Sequence, residues 1–328
     1  MGRRAVVTGI GCAIPQKVLT NKDLEQMVAT SDEWIVQRTG IRERRVCVPG
    51  ETTSKLATEA SLEALERSGV DASQINMVIC GTVTGDMLFP STSCLVQDAI
   101  GARNAGAFDV GAACSGFVYA TSVAAAMIEN GQIDHALVMG ADTLSHFTDY
   151  TDRSTCILFG DGAGAVVLSA MQDTDRGVIK SVLKADGSGA RHITLEHGGS
   201  LHPAQRADSD AFRKTIYMAG SEVYRFAVEA IGDACCAVLA EAGMDASEVD
   251  LFVPHQANLR IIDSAAKRLG LPDEKVFINV DRYGNTSGAS IPIGLYEAEQ
   301  QGRLKQGDVV LTVGMGAGLV WGANLIRW

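Results

Sequence analysis

Asp109-Val110-Gly111-Ala112-Ala113-Cys114-Ser115-Gly116-Phe117 is the stretch on which the fold of this chain turns. It reads as a short apolar strand that breaks, at a cysteine, into a helix running through Val118-Tyr119-Ala120 and Val123 to Ile128, with Asn130-Gly131 as its stop. The helix has almost no polar face, which predicts that it lies buried on every side and is fed by a buried strand. Cys114 then sits at a helix N-terminus, where unpaired N–H groups and the helix dipole favour thiolate over thiol. Small residues on both sides (Gly111, Ala112, Ala113, Ser115, Gly116) leave its backbone open to a substrate. A free cysteine is usually a small buried hydrophobe, and the chain has eight, so position rather than residue type singles out Cys114.

Outward from this junction, helical and strand patterns alternate. Ala5 to Gly9 reads as a first strand, Thr20-Asn21 caps a helix through Asp23 to Val28, and Thr30-Ser31-Asp32 caps another carrying Trp34-Ile35-Val36. Leu56, Ala60, Leu62 and Leu65 form a helix-period stripe ending at Gly69, and Ile75 to Cys80 is a fully apolar strand. The class is α/β with largely parallel central strands. Ser68-Gly-Val-Asp71-Ala72-Ser73 recurs as Ala242-Gly-Met-Asp245-Ala246-Ser247, an offset of 174 residues. The same offset carries the strand from His135 to Gly140 onto Val309 to Gly314, and Cys114 onto Gly288. Two similar halves follow, residues 1–172 and 173–328, with only the first junction carrying a thiol. An asymmetric site where the halves meet is the expectation.

A formal net charge of −11 argues against nonspecific binding to nucleic acid or anionic membrane. The start, Met1 to Val7, enters a strand pattern without a signal-type apolar run, and no segment holds the roughly 18 uncharged apolar residues of a membrane span. A cytoplasmic protein with reduced thiols is expected. The cysteines show neither a Cys-x-x-Cys pair nor zinc-type spacing, so no metal is predicted, and Cys235-Cys236 reads as helix packing. Phe159 to Leu168 is glycine-rich but precedes a strand rather than a helix, which favours close backbone packing over nucleotide binding. Gly40-Ile41-Arg42-Glu43-Arg44-Arg45 reads as a polar, cationic loop in solvent, although Trp34 and Arg38, one helical turn apart, suit a flat anionic group such as a nucleotide. Residues 185–210 lack apolar period and read as an excursion over a pocket.

Pro254-His255-Gln256-Ala257-Asn258 ends an apolar strand, where α/β proteins bind ligands. Asn285 lies in Tyr283-Gly284-Asn285-Thr286-Ser287, which is also good turn chemistry. Each alone fits a satisfied core residue. With Cys114 they make a Cys/His/Asn set whose order and spacing do not fit a papain-type protease.

These three motifs resemble the catalytic motifs of the β-ketoacyl-acyl carrier protein synthase III family, and the likeness runs from Val7-Thr8-Gly9-Ile10-Gly11 to Gly316-Ala317-Gly318 and Trp321-Gly322. The resemblance implies the thiolase fold, a duplicated five-layered α-β-α-β-α arrangement with two buried central helices, usually a homodimer without a cofactor. It implies substrates acyl-CoA and malonyl-acyl carrier protein (malonyl-ACP). Cys114 would carry the acyl group. His255 and Asn285 would bind the malonyl thioester oxygen during decarboxylation, and the backbone N–H groups of Cys114 and Ala317 would hold the other oxyanion. Trp34, Arg38, Arg153 and Asn258 would bind CoA; Leu144, Phe159, Met315 and a partner's Phe89 would line the acyl pocket. Arg225, Arg260, Lys267 and Arg268 would dock the acidic carrier, the last two also suiting a helix C-terminus before Gly270.

Two other readings stand beside this one. Met315, where the family commonly has phenylalanine, and residues 185–210 fit a related condensing enzyme or acyltransferase of specialised metabolism, of polyketide or quinolone type. A non-catalytic acyl-binding protein keeps the fold but has no use for all three chemical residues. Starter length is not legible, because one methylene is worth only about 1–3 kcal/mol in an apolar pocket.

Overall fold

The Cys114 helix lies between two β-sheets in the computed structural model, which describes residues 2–206 and 208–328. The strands are β1 (Arg4–Ala13), β2 (Met77–Gly81), β3 (Gly106–Val110), β4 (His135–Thr143), β5 (Asp161–Met171), β6 (Gly177–Ala185), β7 (Leu251–Pro254), β8 (Val309–Gly316) and β9 (Val320–Arg327). The first sheet runs β1-β5-β4-β2-β3 and the second β7-β8-β9-β6. Between them lie α3 (Gly116–Glu129) and α6 (Ser290–Gln300), each touching strands of both sheets. Outside the first sheet pack α1 (Thr53–Ser68) and α2 (Thr92–Ala99); outside the second, α4 (Gly220–Ala242), with α5 (Leu259–Leu269) against it.

Local chemistry sets the helix ends. The Thr52 hydroxyl accepts the Lys55 N–H at the start of α1, and Gly69 closes it at φ 68°. Gly243 closes α4 at the same φ, 174 residues later. That offset also carries the first residue of β2 onto the first of β7 and the first of β4 onto the first of β8. The edge strand β3 is answered in the second sheet, among the described residues, by a bridge between Phe252 and Val276.

Four expectations need correction. The sheets are mixed: β2, β3 and β4 are parallel, as are β7 and β8, but β5 and β9 run antiparallel to both neighbours. Only the helical crossovers give parallel pairs, and the turn at 317–319 returns β8 directly into β9. β3 is not buried, since it forms the sheet's edge with Gly106 and Phe108 exposed. α3 buries Phe117, Val118, Ala120, Ala124, Ala125 and Ile128, but Ala126 and Glu129 reach the surface. The Thr20-capped helix is also shorter than its pattern, covering only Asn21–Leu24.

α3 enters the interior because glycines let it touch strand backbone. A Cβ on Gly81 of β2 would lie 2.2 Å from the Gly116 carbonyl carbon. Phe117, 1% exposed, anchors that contact and contributes roughly 2–3 kcal/mol by burial. Residues 185–210 form a 3₁₀ turn (Gly187–His192) and the strand Ile193–Thr194, which pairs with Tyr217–Met218 over the cavity described next; Ala207 lies outside the described residues. Among the described residues no helix is long and apolar enough to cross a membrane.

Candidate active site

Cys114 is the middle residue of a 3₁₀ turn, Ala113–Ser115, that opens α3, and Ala113 holds φ 45°. β8 packs directly against this turn: a Cβ on Gly316 would lie 2.5 Å from the Cys114 nitrogen. The thiol borders a cavity of about 320 Å³ whose wall also holds His255, Asn285, Ser287, Met315 and Ala317. Leu144, Phe147, Leu158 and Phe159 extend this wall on one side, and Ile193, Leu195, Ile216 and Met218 roof it.

Burial pushes the Cys114 thiol up, to about 12; the Ser287 side chain opposes the rise by a hydrogen bond and the Asp142 carboxylate adds to it. Desolvation of the charged form thus works against the thiolate that the helix terminus favours. Asp142 is wholly buried and accepts from Thr82 Oγ1 (3.1 Å), Val83 N (2.9 Å), Thr84 Oγ1 (2.8 Å) and Gly288 N (3.1 Å). Burial raises its pKa against those bonds and that of Ser287.

His255 follows β7, its N–H donating to Val313 O at 2.8 Å. Its Nδ1 lies 2.6 Å from Ser290 Oγ, which also accepts the Gln256 N–H at 3.3 Å. Burial lowers the imidazole to about 4, so it is neutral near pH 7. Asn285 is bridged onto the strip beside Phe159: its N–H donates to Leu158 O (2.8 Å) and its carbonyl accepts from Gly160 N (2.9 Å). Its Oδ1 accepts the Ser287 N–H at 2.8 Å, leaving the amide Nδ2 as the donor end. One cavity thus gathers a thiol, a neutral imidazole and an oriented amide.

This arrangement has relatives. Two family models match, 3-oxoacyl-(acyl-carrier-protein) synthase III over residues 108–187 and its C-terminal counterpart over 239–328. A β-ketoacyl-(acyl-carrier-protein) synthase III of Symbiobacterium thermophilum is 51% identical over 322 residues, 98% of this chain and 97% of the relative. The chain belongs to the β-ketoacyl-acyl carrier protein synthase III family. The crystal structure of 3-oxoacyl-(acyl-carrier-protein) synthase III from Aquifex aeolicus matches with TM-score 0.92 at 43% identity, covering 99% of this chain and 100% of that one. The priming β-ketosynthase from the R1128 polyketide biosynthetic pathway matches with TM-score 0.93 at 36% identity, covering 99% and 97%. The fold is the thiolase fold, and the chain is an acyl-transferring condensing enzyme.

The other residues flagged for a synthase of this family divide by location. Leu144, Phe159, Met315, Ala317 and Asn258 border the cavity. Trp34, Arg38 and Arg153 do not, but form one surface cluster: the Arg153 and Arg38 guanidinium carbons lie 4.8 and 5.7 Å from the Trp34 ring centroid. Asn258 ties that cluster to the cavity, donating through Nδ2 to Arg38 O at 3.1 Å while its Oδ1 caps α5. Phe89 is 82% exposed and outside the cavity, beside the equally exposed Leu88. Arg225, Arg260, Lys267 and Arg268 are exposed on α4 and α5, with Arg268 paired to Asp233, Arg225 to Glu222 and Arg260 over Tyr224.

The cationic loop is not a solvated one. Glu43–Arg45 pairs with Val18–Thr20, and Arg44 is wholly buried. Alternation along this short strand turns Arg44 inward, a period too brief to stand out beside Arg42, Glu43 and Arg45. Sequence reasoning also passed over Ser287, Ser290, Gln256 and Asp142. All are buried polar groups that act through hydrogen bonds to distant parts of the chain, which leave no local pattern.

Proposed function

We propose that the chain joins an acyl-CoA starter to malonyl-ACP by decarboxylative Claisen condensation, initiating fatty acid synthesis through an acyl-Cys114 intermediate. The convergence of Cys114, neutral His255 and the donor end of Asn285 on one cavity carries this reading. In the first half-reaction Sγ attacks the thioester carbon, the carbon–sulfur bond to CoA breaks, and the thiol proton ends on the departing CoA. The backbone N–H groups of Cys114 and Ala317 stabilise the tetrahedral oxyanion. In the second, malonyl-ACP loses CO₂, the enolate carbon attacks the acyl carbon, and the Cys114 sulfur is expelled as a thiolate that takes a proton from solvent to restore the thiol. Ser290 Oγ already accepts from Gln256, which frees its own proton for His255 Nδ1 and leaves Nε2–H as a donor. Two neutral donors, His255 Nε2–H and Asn285 Nδ2–H, then meet the thioester oxygen as it becomes negative.

The CoA nucleotide stacks on the Trp34, Arg38 and Arg153 cluster, with the pantetheine arm passing Asn258. Leu144, Phe159 and Met315 hold the acyl chain. The acidic carrier docks on Arg225, Arg260, Lys267 and Arg268 beside the cavity mouth. The exposed apolar run of Met87, Leu88 and Phe89 packs against a second copy, so that a partner's Phe89 closes the pocket. Residues 1–172 form the half with the nucleophile and 173–328 the half with His255 and Asn285.

The test is intact mass together with CO₂ release. Acetyl-CoA should leave an acetyl adduct that Cys114→Ala abolishes. His255→Ala and Asn285→Ala should keep the adduct but lose condensation by about a hundredfold to a thousandfold. No adduct, or no CO₂ from malonyl-ACP, overturns the reading. The likeness to a priming polyketide ketosynthase supports a second reading, in specialised metabolism. Efficient turnover with malonyl-CoA or a small amine or alcohol in place of malonyl-ACP would favour it.

A further inference from the structure

Arg44 is a buried guanidinium without an ion-pair partner among the described residues. Nη1 donates to Leu19 O (3.1 Å) and Asn21 Oδ1 (2.9 Å), Nη2 to Ile157 O (2.7 Å), and Nε has no partner. Removing such a cation from water is costly, and a hydrophobic side chain would pack there without the cost. What Arg44 holds therefore needs an explanation.

It holds the strip on which Asn285 is mounted. Ile157 precedes Leu158 and Gly160, the two residues that bond the Asn285 backbone from both sides. Three residues beyond Arg44, the Cys47 N–H donates to Asp161 at 2.7 Å and fixes the strip's other end. On the opposite flank the Arg42 N–H donates to Asp281 O at 2.9 Å, and a Cβ on Gly284 would lie 3.2 Å from Arg44 Cβ. The segment 42–47 is thus wedged between the strip and the turn that leads into Asn285. The other two chemical groups are anchored elsewhere, His255 by Val313 and Ser290, Cys114 by its contact with Gly316.

We propose that Arg44 is a positioning residue for Asn285: its planar fork fixes the strip at 157–160 and so aims the Asn285 amide. The proposal rests on the reading of Asn285 given above, as a donor used in the malonyl step and not in acylation. A lysine keeps the charge but not the fork, so it cannot hold two carbonyls and an amide oxygen in one plane.

The experiment compares the half-reactions in the full-length enzyme, with acetyl as the starter so that packing of Leu158 and Phe159 weighs least. Arg44→Lys should acetylate Cys114 within about threefold of the parent rate while releasing CO₂ from malonyl-ACP ten- to a hundredfold more slowly. Asn285→Ala should show the same selectivity, and the double variant should be no slower than Asn285→Ala alone, because the two act as a unit. If Arg44→Lys does not fold, Asn21→Ala removes one acceptor and leaves the charge in place, with a smaller loss of the same selectivity. Equal slowing of both half-reactions, or additive losses in the double variant, overturns the assignment of Arg44. Unchanged CO₂ release in Asn285→Ala overturns instead the reading on which it rests, and the assignment with it.

Discussion

Ala113 and Ser287 lie 174 residues apart and share one unusual backbone conformation, φ 45° and 51°, each beginning the 3₁₀ turn that opens one of the two central helices. A left-handed φ costs a residue with a side chain about 1–3 kcal/mol, so tertiary structure imposes it at both places. At Ala113 a β-branched residue cannot adopt it, and the methyl already faces Gly316, whose added Cβ would lie 2.8 Å from Ala113 Cβ. Ala113→Val should therefore cost more than about 2 kcal/mol and lower the apparent Tm by several degrees. Ala113→Gly should be close to neutral, since relief of strain offsets the roughly 0.5–1 kcal/mol that glycine loses in chain entropy. Thermal denaturation of both variants decides it, and an unchanged Tm in Ala113→Val would remove strain from the account.

The contact between β8 and the nucleophile's backbone gives a sharper test. In Gly316→Ala the new methyl would sit 2.5 Å from the Cys114 nitrogen, which the adjoining turn cannot yield without moving the thiol. We expect acetylation of Cys114 to fall at least about a hundredfold, with a stability loss of about 1–3 kcal/mol. Acetylation at the parent rate would mean that the turn has room to shift.

The thiol itself should titrate high. With burial holding Cys114 near 12, the thiolate fraction rises about tenfold for each pH unit below that value. Alkylation of the ligand-free enzyme by iodoacetamide, followed at Cys114 by mass, should climb from pH 7 to 9.5 without levelling. Ser287→Ala removes a hydrogen bond that favours the thiolate and should slow alkylation across the range. A plateau below pH 8 would show that the helix terminus outweighs desolvation.

What the sequence made legible follows periodicity and repetition. The offset between Asp71 and Asp245 survives as matched strand starts and matched glycine caps, because repeated local chemistry repeats its fold. Cys114 and His255 stood out because one opens a helix and the other ends a strand, whereas Asn285 lies in a turn and stood out through the resemblance of its motif. Strand direction was not legible, since β5 and β9 are as apolar as parallel strands and differ only in how the chain returns. Nor was the inward turn of Arg44 or the support that Ser290 gives His255, 35 residues away. Those depend on which segments meet in space, and charge alone pointed Arg44 the wrong way.

His255 supplies a test in which folding and chemistry must agree. Its imidazole titrates near 4 in the folded chain against an ordinary 6.5 when unfolded, and burial is the cause. Between those values the unfolded chain binds the extra proton, so folding stability rises with pH through this window and is lost as pH falls toward 4. The separation corresponds to roughly 3 kcal/mol. In His255→Gln that dependence disappears, so the variant's stability relative to the parent should improve by roughly 2–3 kcal/mol from pH 7.5 to pH 4.5, read from urea midpoints. Decarboxylation by the parent enzyme should keep its rate down to about pH 5, because the donor is already neutral there. An acid limb centred near pH 6.5, or a relative stability that does not change with pH, would mean that water reaches the imidazole and that its role as a buried neutral donor is wrong.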